Sequence, residues 1–274
     1  MVKNNRVKVF FILATLLGYS QWILTGKPNW FIYGMLLSGL ILTAVFEGKK
    51  GIVDQLKSAV RIKSSYKNYL YVLLILLTAN IATLILSFIL FGDKPSLNMI
   101  RNEPHLIILL IFATLTGGPI AEELFGLRGF ALPKLLTRYT PLISSIIVGF
   151  YFGAWHLIEF FNPGSSQYAI GLEYYPLFIA VEIADSILMT WIYLRSNQNL
   201  FLGGIFFHLT MNVCVVLFQT DFTLSNMNAF PEMNKHYFVI YSFITIVFSI
   251  FIAIKAKLYK NEDEKITASS PAPA

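Results

Sequence analysis

Apolar residues along this chain come in long unbroken runs, without the alternation of strands or the narrow stripes of surface helices. Runs near 7–25, 29–46, 69–91, 105–131, 142–160, 176–194, 200–219 and 237–256 each approach the roughly 20 residues a helix needs to cross a bilayer. They predict an all-α fold, a polytopic membrane helix bundle of about eight transmembrane helices in one structural domain. Residues 1–104 would form the N-terminal helices, 105–219 the core, and 220–274 the last helix and a tail. Lys3, Arg6 and Lys8 before Val9 to Leu16 look like the start of a signal peptide. No small-x-small cleavage site follows, so an uncleaved first span is expected. Between the second and third runs, Ile52, Leu56, Ala59, Val60 and Ile62 are set among Lys50, Lys57, Arg61 and Lys63. That is the pattern of a basic helix lying on the membrane surface. The fourth run contains Gly117-Gly118-Pro119, which predicts a bend at Pro119 because proline removes a backbone donor and clashes with the preceding turn. Beyond Lys257 the chain has little apolar surface to bury, and its end is expected to be disordered.

Composition agrees. Of 274 residues, 56% are hydrophobic and 13% charged, against roughly 45–50% and about 25% in a soluble domain, and the mean hydropathy is +0.64. A soluble enzyme is excluded. The net charge of +6 is unevenly placed: seventeen Lys and Arg fall on one side of the expected spans, and four (Lys27, Lys94, Arg101 and Lys235) on the other. The excess of cations on the cytoplasmic side of membrane proteins predicts both termini in the cytoplasm, in what is expected to be a bacterial cell membrane. No basic run alternates with aromatics, so the lipid bilayer, not a nucleic acid, is the expected partner. A single cysteine, Cys214, excludes an internal disulfide and a cysteine-based zinc cluster.

Ionisable groups inside a bilayer cost about 2.5–3.5 kcal/mol each even on lenient scales, which makes them functional candidates. Glu122, Glu123 and Arg128 lie in the fourth run, and His156 falls four residues after Phe152 in the fifth. Glu182 and Asp185 share a face of the sixth, as His208 and Asn212 do in the seventh. Taken singly, each has a plain reading: an acid neutralised by its own arginine, or an imidazole or amide bonding between helices. Together, a carboxylate pair, two histidines and an amide are what water activation requires. Asp185 could serve as an outer acceptor that orients an imidazole.

The same residues carry a family pattern. Glu122-Glu123 with Arg128, Phe152-Gly153-Ala154-Trp155-His156 and His208-Leu209-Thr210-Met211-Asn212 resemble the three motifs of the CAAX protease and bacteriocin-processing (CPBP, or Abi) family. Those motifs run Glu-Glu-x-x-x-Arg, Phe-x-x-x-His and His-x-x-x-Asn, and the resemblance covers about residues 115–215. It implies an intramembrane endopeptidase acting on a peptide or protein substrate at the membrane. The leading Glu would act as general base, His156 would position the water, and His208 with Asn212 would bind it or stabilise the oxyanion. Arg128 would hold the acidic helix. A divalent metal such as zinc, if used, would be held by His156 and His208 with Glu122 or Glu123. One departure matters: four residues, not three, separate Glu123 from Arg128. Adjacent residues on a helix point about 100° apart, so only one acid of the doublet can face a given site. An extra residue is what a π-bulge absorbs, and Phe125-Gly126 is the expected place. With a bulge Glu122 leads; without one Glu123 does. Two other classes fit the same residues, a non-enzymatic protein such as one conferring bacteriocin immunity and a proton-coupled transporter. The absence of an internal repeat counts against the transporter.

Overall fold

The computed structural model describes residues 5–26, 31–95, 97–219 and 233–260. Twelve α-helices are present among them and no strand: α1 (Arg6–Thr25), α2 (Tyr33–Ala59), α3 (Tyr66–Phe91), α4 (Asn98–Asn102), α5 (Ile107–Thr116), α6 (Gly118–Glu123), α7 (Leu132–Leu136), α8 (Pro141–Trp155), α9 (Ser166–Ile170), α10 (Tyr175–Arg195), α11 (Phe207–Gln219) and α12 (Lys235–Lys255). Joined with the short turns that extend them, seven stretches are long and apolar enough to cross a membrane: Arg6–Thr25, Tyr66–Phe91, Pro104–Leu136, Pro141–Phe161, Leu172–Arg195, Phe201–Gln219 and Lys235–Lys255. The chain is an integral multi-pass membrane protein. Seven of the eight expected runs are recovered.

The second run is the exception. Gly48 leaves helical geometry at φ 65° and ψ −163°, in a region open to glycine, and Glu47, Lys49 and Lys50 cluster there. The apolar limb of α2 is therefore about 21 Å long at 1.5 Å per residue, short of a hydrocarbon core of about 30 Å. After Gly48 the helix continues to Ala59 as the polar stretch expected to lie on the surface. Its Gln55 Nε2 donates to the Gly129 carbonyl at 2.8 Å. The segment 261–274, expected to be disordered, lies outside the described residues.

Small residues set the helix spacing. A Cβ on Gly149 would come within 2.5 Å of the Ile183 backbone and one on Gly153 within 2.9 Å of Ile179, so α8 and α10 approach at backbone distance through a small-xxx-small pair. Gly34 fits against the Gly18 backbone of α1 in the same way, at 2.6 Å. Such contact replaces the hydrophobic drive that lipid cannot supply. It also brings α8, α10 and α11 around the broken helix that carries the acids.

Candidate active site

The acidic segment is built on two breaks. α5 ends at Gly117 (φ −80°, ψ −128°), and Pro119 sits in the first turn of the six-residue α6, where its missing N–H would have no partner in any case. The bend thus falls at Gly117, two residues before the proline. After Glu123 the chain unwinds, Gly126 adopts φ −93° and ψ −115°, and a π-helical turn runs over Leu127–Ala131. Its wide ring is visible in the Ala131 N–H donating to the Gly126 carbonyl at 3.1 Å. The extra residue before Arg128 is taken up in this unwound stretch, where Phe125-Gly126 lie, and the π-helical turn follows it. Glycine is required at the break: a Cβ on Gly126 would lie 2.1 Å from the Glu122 carbonyl oxygen.

The two acids consequently do different things. Glu123, fully buried, accepts through Oε1 from Arg128 Nη1 at 2.9 Å and from His208 Nδ1 at 3.1 Å. Glu122 faces the other way. Its Oε1 lies 4.0 Å from His156 Nε2 and its Oε2 3.8 Å from His208 Nε2. His156, where α8 tightens into a 3-10 turn, donates from Nδ1 to the Phe152 carbonyl at 2.9 Å. A carbonyl and a carboxylate held by arginine can only accept, so both rings carry a proton on Nδ1 and turn Nε2 toward Glu122. Fixing the far nitrogen is how outer partners orient a working imidazole. Separations of 3.8 and 4.0 Å exceed a direct hydrogen bond and suit one intervening water. The Phe152 ring stands edge-on to both imidazoles, with centroids 4.4 and 5.9 Å away.

These groups open on a cavity of about 320 Å³ that Asn212, Thr114, Glu159 and Glu182 also line. Gly118 keeps it open, since a Cβ there would lie 2.8 Å from Glu122 Oε2 and 3.3 Å from His208 Nε2. The structure thus brings together Glu122, Glu123, Arg128, Phe152, His156, His208 and Asn212. Asp185 is set apart. It lines a neighbouring cavity of about 110 Å³ with its Oδ1 unpartnered among the described residues. The orienting role expected of it falls to the Phe152 carbonyl and Glu123. Glu159 was missed, although it follows His156 by three residues and so shares its side of the turn. From the sequence His156 lies about 21 Å and His208 about 12 Å into their spans, yet both Nε2 atoms meet at the Glu122 carboxylate.

Among the described residues no three His, Cys, Asp or Glu side chains form a ready-made metal cage. The donors nonetheless suit a divalent ion chemically: two Nε2 atoms, each on a ring held through Nδ1, face a carboxylate, the set that holds zinc with an open position.

Residues 104–214 match the family model described as type II CAAX prenyl endopeptidase Rce1-like. A CAAX prenyl protease 2 from Methanococcus maripaludis is 33% identical over 113 residues, 40% of this chain. The chain spans only 39% of that relative's length in the match. The matched segment contains Glu122, Glu123, Arg128, Phe152, His156, His208 and Asn212, while Phe31, Ile32, Val215 and Val216 of the same cavity lie outside it. Residues 104–214 are thus similar to the type II CAAX prenyl endopeptidase Rce1-like family over less than half of the chain.

Proposed function

We propose that this protein is an intramembrane endopeptidase in which Glu122 activates water against a peptide bond of a membrane-associated peptide or protein. One observation carries the reading: two imidazoles, each with Nδ1 tied down, present Nε2 to the same buried carboxylate at 3.8 and 4.0 Å. A water in that gap donates one hydrogen to an Nε2 lone pair and the other to Glu122. As its oxygen attacks the scissile carbonyl, Glu122 takes the proton, and the Asn212 amide in the same cavity donates to the developing oxyanion. The C–N bond then breaks as Glu122 returns the proton to the leaving amine. Glu123 and Arg128 hold His208 and the acidic turn without touching the substrate. A divalent metal such as zinc, where bound, would be held by His156, His208 and Glu122 and would supply Lewis-acid polarisation.

The relative's name makes a prenylated C-terminal peptide the first substrate to try. Purified protein in lipid is given farnesylated and unmodified forms of one peptide, and products are read by mass spectrometry. Cleavage is expected from the wild type and is expected to fall by about 10³-fold or more in Glu122→Gln, His156→Ala and His208→Ala, as for loss of a general base or its partners, with protein level unchanged. Wild-type cleavage in all three variants would overturn the mechanism. An intact cellular phenotype in variants that no longer cleave would favour the immunity-type binding protein.

A further inference from the structure

We propose that a second cavity, formed where α1 begins, binds an anionic phospholipid, with basic side chains on its phosphate and an apolar wall along its acyl chain. The cavity measures about 490 Å³ and shares no lining residue with the carboxylate and imidazole site. The first turns of α1, helix α7 with the turn after it, and α8 converge there. They supply Arg6, Lys8, Lys134 and Arg138, and none of the lining among the described residues is acidic. Four cations around one opening repel each other, a strain that a bound anion relieves.

Two of these cations are fixed in place. The Arg6 guanidinium lies 4.5 Å over the Phe46 ring, and its Nε is buried with no hydrogen-bond partner among the described residues. Lys134 Nζ lies 2.8 Å from Glu47 and 3.8 Å over the Phe130 ring. The rest of the wall is apolar, from Val7, Phe11, Leu135 and Ile147. A soluble polyanion would use the cations and leave that wall wet; a phospholipid uses both. The level is also right. Arg6 opens α1 and Tyr139 lies in the turn before α8, so the cavity sits at the helix ends, where headgroups are found and where basic pockets between helices hold lipid phosphates.

The test is native mass spectrometry of the full chain titrated with phosphatidylglycerol or phosphatidylcholine, with inorganic phosphate as competitor. Phosphatidylglycerol is expected to bind at least about tenfold more tightly than phosphatidylcholine. Arg6→Gln with Arg138→Gln should remove most of that preference. So should Lys8→Gln with Arg138→Gln, both at exposed positions where folding is not at stake. Arg61→Gln with Lys63→Gln takes the same charge from the segment after α2 and should change nothing. Equal binding of the two lipids, or equal loss in the control pair, would overturn the proposal. Displacement of the lipid by millimolar phosphate would also overturn it and mark a small-anion site instead.

Discussion

Glu123 and Arg128 form a buried pair whose value lies in being complete. Both side chains are almost fully removed from solvent, and a lone buried charge is costly, whereas replacing both partners by apolar groups can be nearly neutral. Arg128→Ala is expected to destabilise the protein by roughly 3–5 kcal/mol, read as a lower thermal midpoint in detergent. Adding Glu123→Leu should recover much of that loss without restoring cleavage, because His208 then loses its Nδ1 acceptor. An Arg128→Ala protein that melts with the wild type would remove this account. A milder electrostatic link lies outside the spans at Asp93. Its Oδ2 accepts from Ser87 Oγ at 2.5 Å and from His236 Nδ1 at 2.8 Å, and these partners, the hydroxyl foremost, hold its carboxyl below the usual range. A depressed folded-state value contributes stability above the ordinary carboxylate pKa of about 4, and the contribution is lost as pH falls through the folded value. Ser87→Ala should therefore flatten the fall in melting temperature at acid pH; an unchanged profile would count against the link.

At the scale of elements, the acids owe their positions to breaks, not to helix. Gly39 of α2 shows how tightly the unwound segment is gripped: a Cβ there would lie 1.5 Å from the Phe125 carbonyl oxygen, which no side-chain adjustment can relieve. Gly39→Ala is expected to push α2 away from the break, lowering cleavage at least about tenfold together with thermal stability, as overpacking does. Gly164→Ala, whose nearest neighbour would be 3.9 Å away, is the matching control. Similar behaviour of the two variants would show that the close approach has no consequence. The three motifs, and Phe125-Gly126 as the place where a π-bulge would fall, were legible in the sequence. Whether the extra residue is taken up there was not, because that depends on α2 contributing Gly39 and on Gln55 capping the Gly129 carbonyl, contacts between residues far apart in the chain.

For the whole molecule, the number of passes decides where the ends lie. Seven long spans alone would put the termini on opposite faces, while the short apolar limb of α2 as an eighth pass puts them together, as the charge asymmetry predicts. With Cys214→Ala as background, Lys8→Cys and Tyr259→Cys are expected to react with an impermeant maleimide from the same, cytoplasmic, side. Labelling from opposite sides would show that α2 does not cross.

The sequence by itself determined that the chain lives in a membrane, how its apolar runs are ordered and which ionisable residues sit within them, because burial in lipid is a demand each run meets alone. It also pointed to both acids, both histidines and the asparagine, since ionisable and amide groups inside apolar runs are conspicuous. Only the tertiary structure decided that Glu122 faces the imidazoles while Glu123 holds one of them, that a carbonyl and a carboxylate orient the rings in place of Asp185, and that Glu159 joins the cavity. The reason is geometric. One residue more or less in a helix turns a side chain by about 100°, and where that turn is taken up is set by packing between elements that the sequence lists far apart.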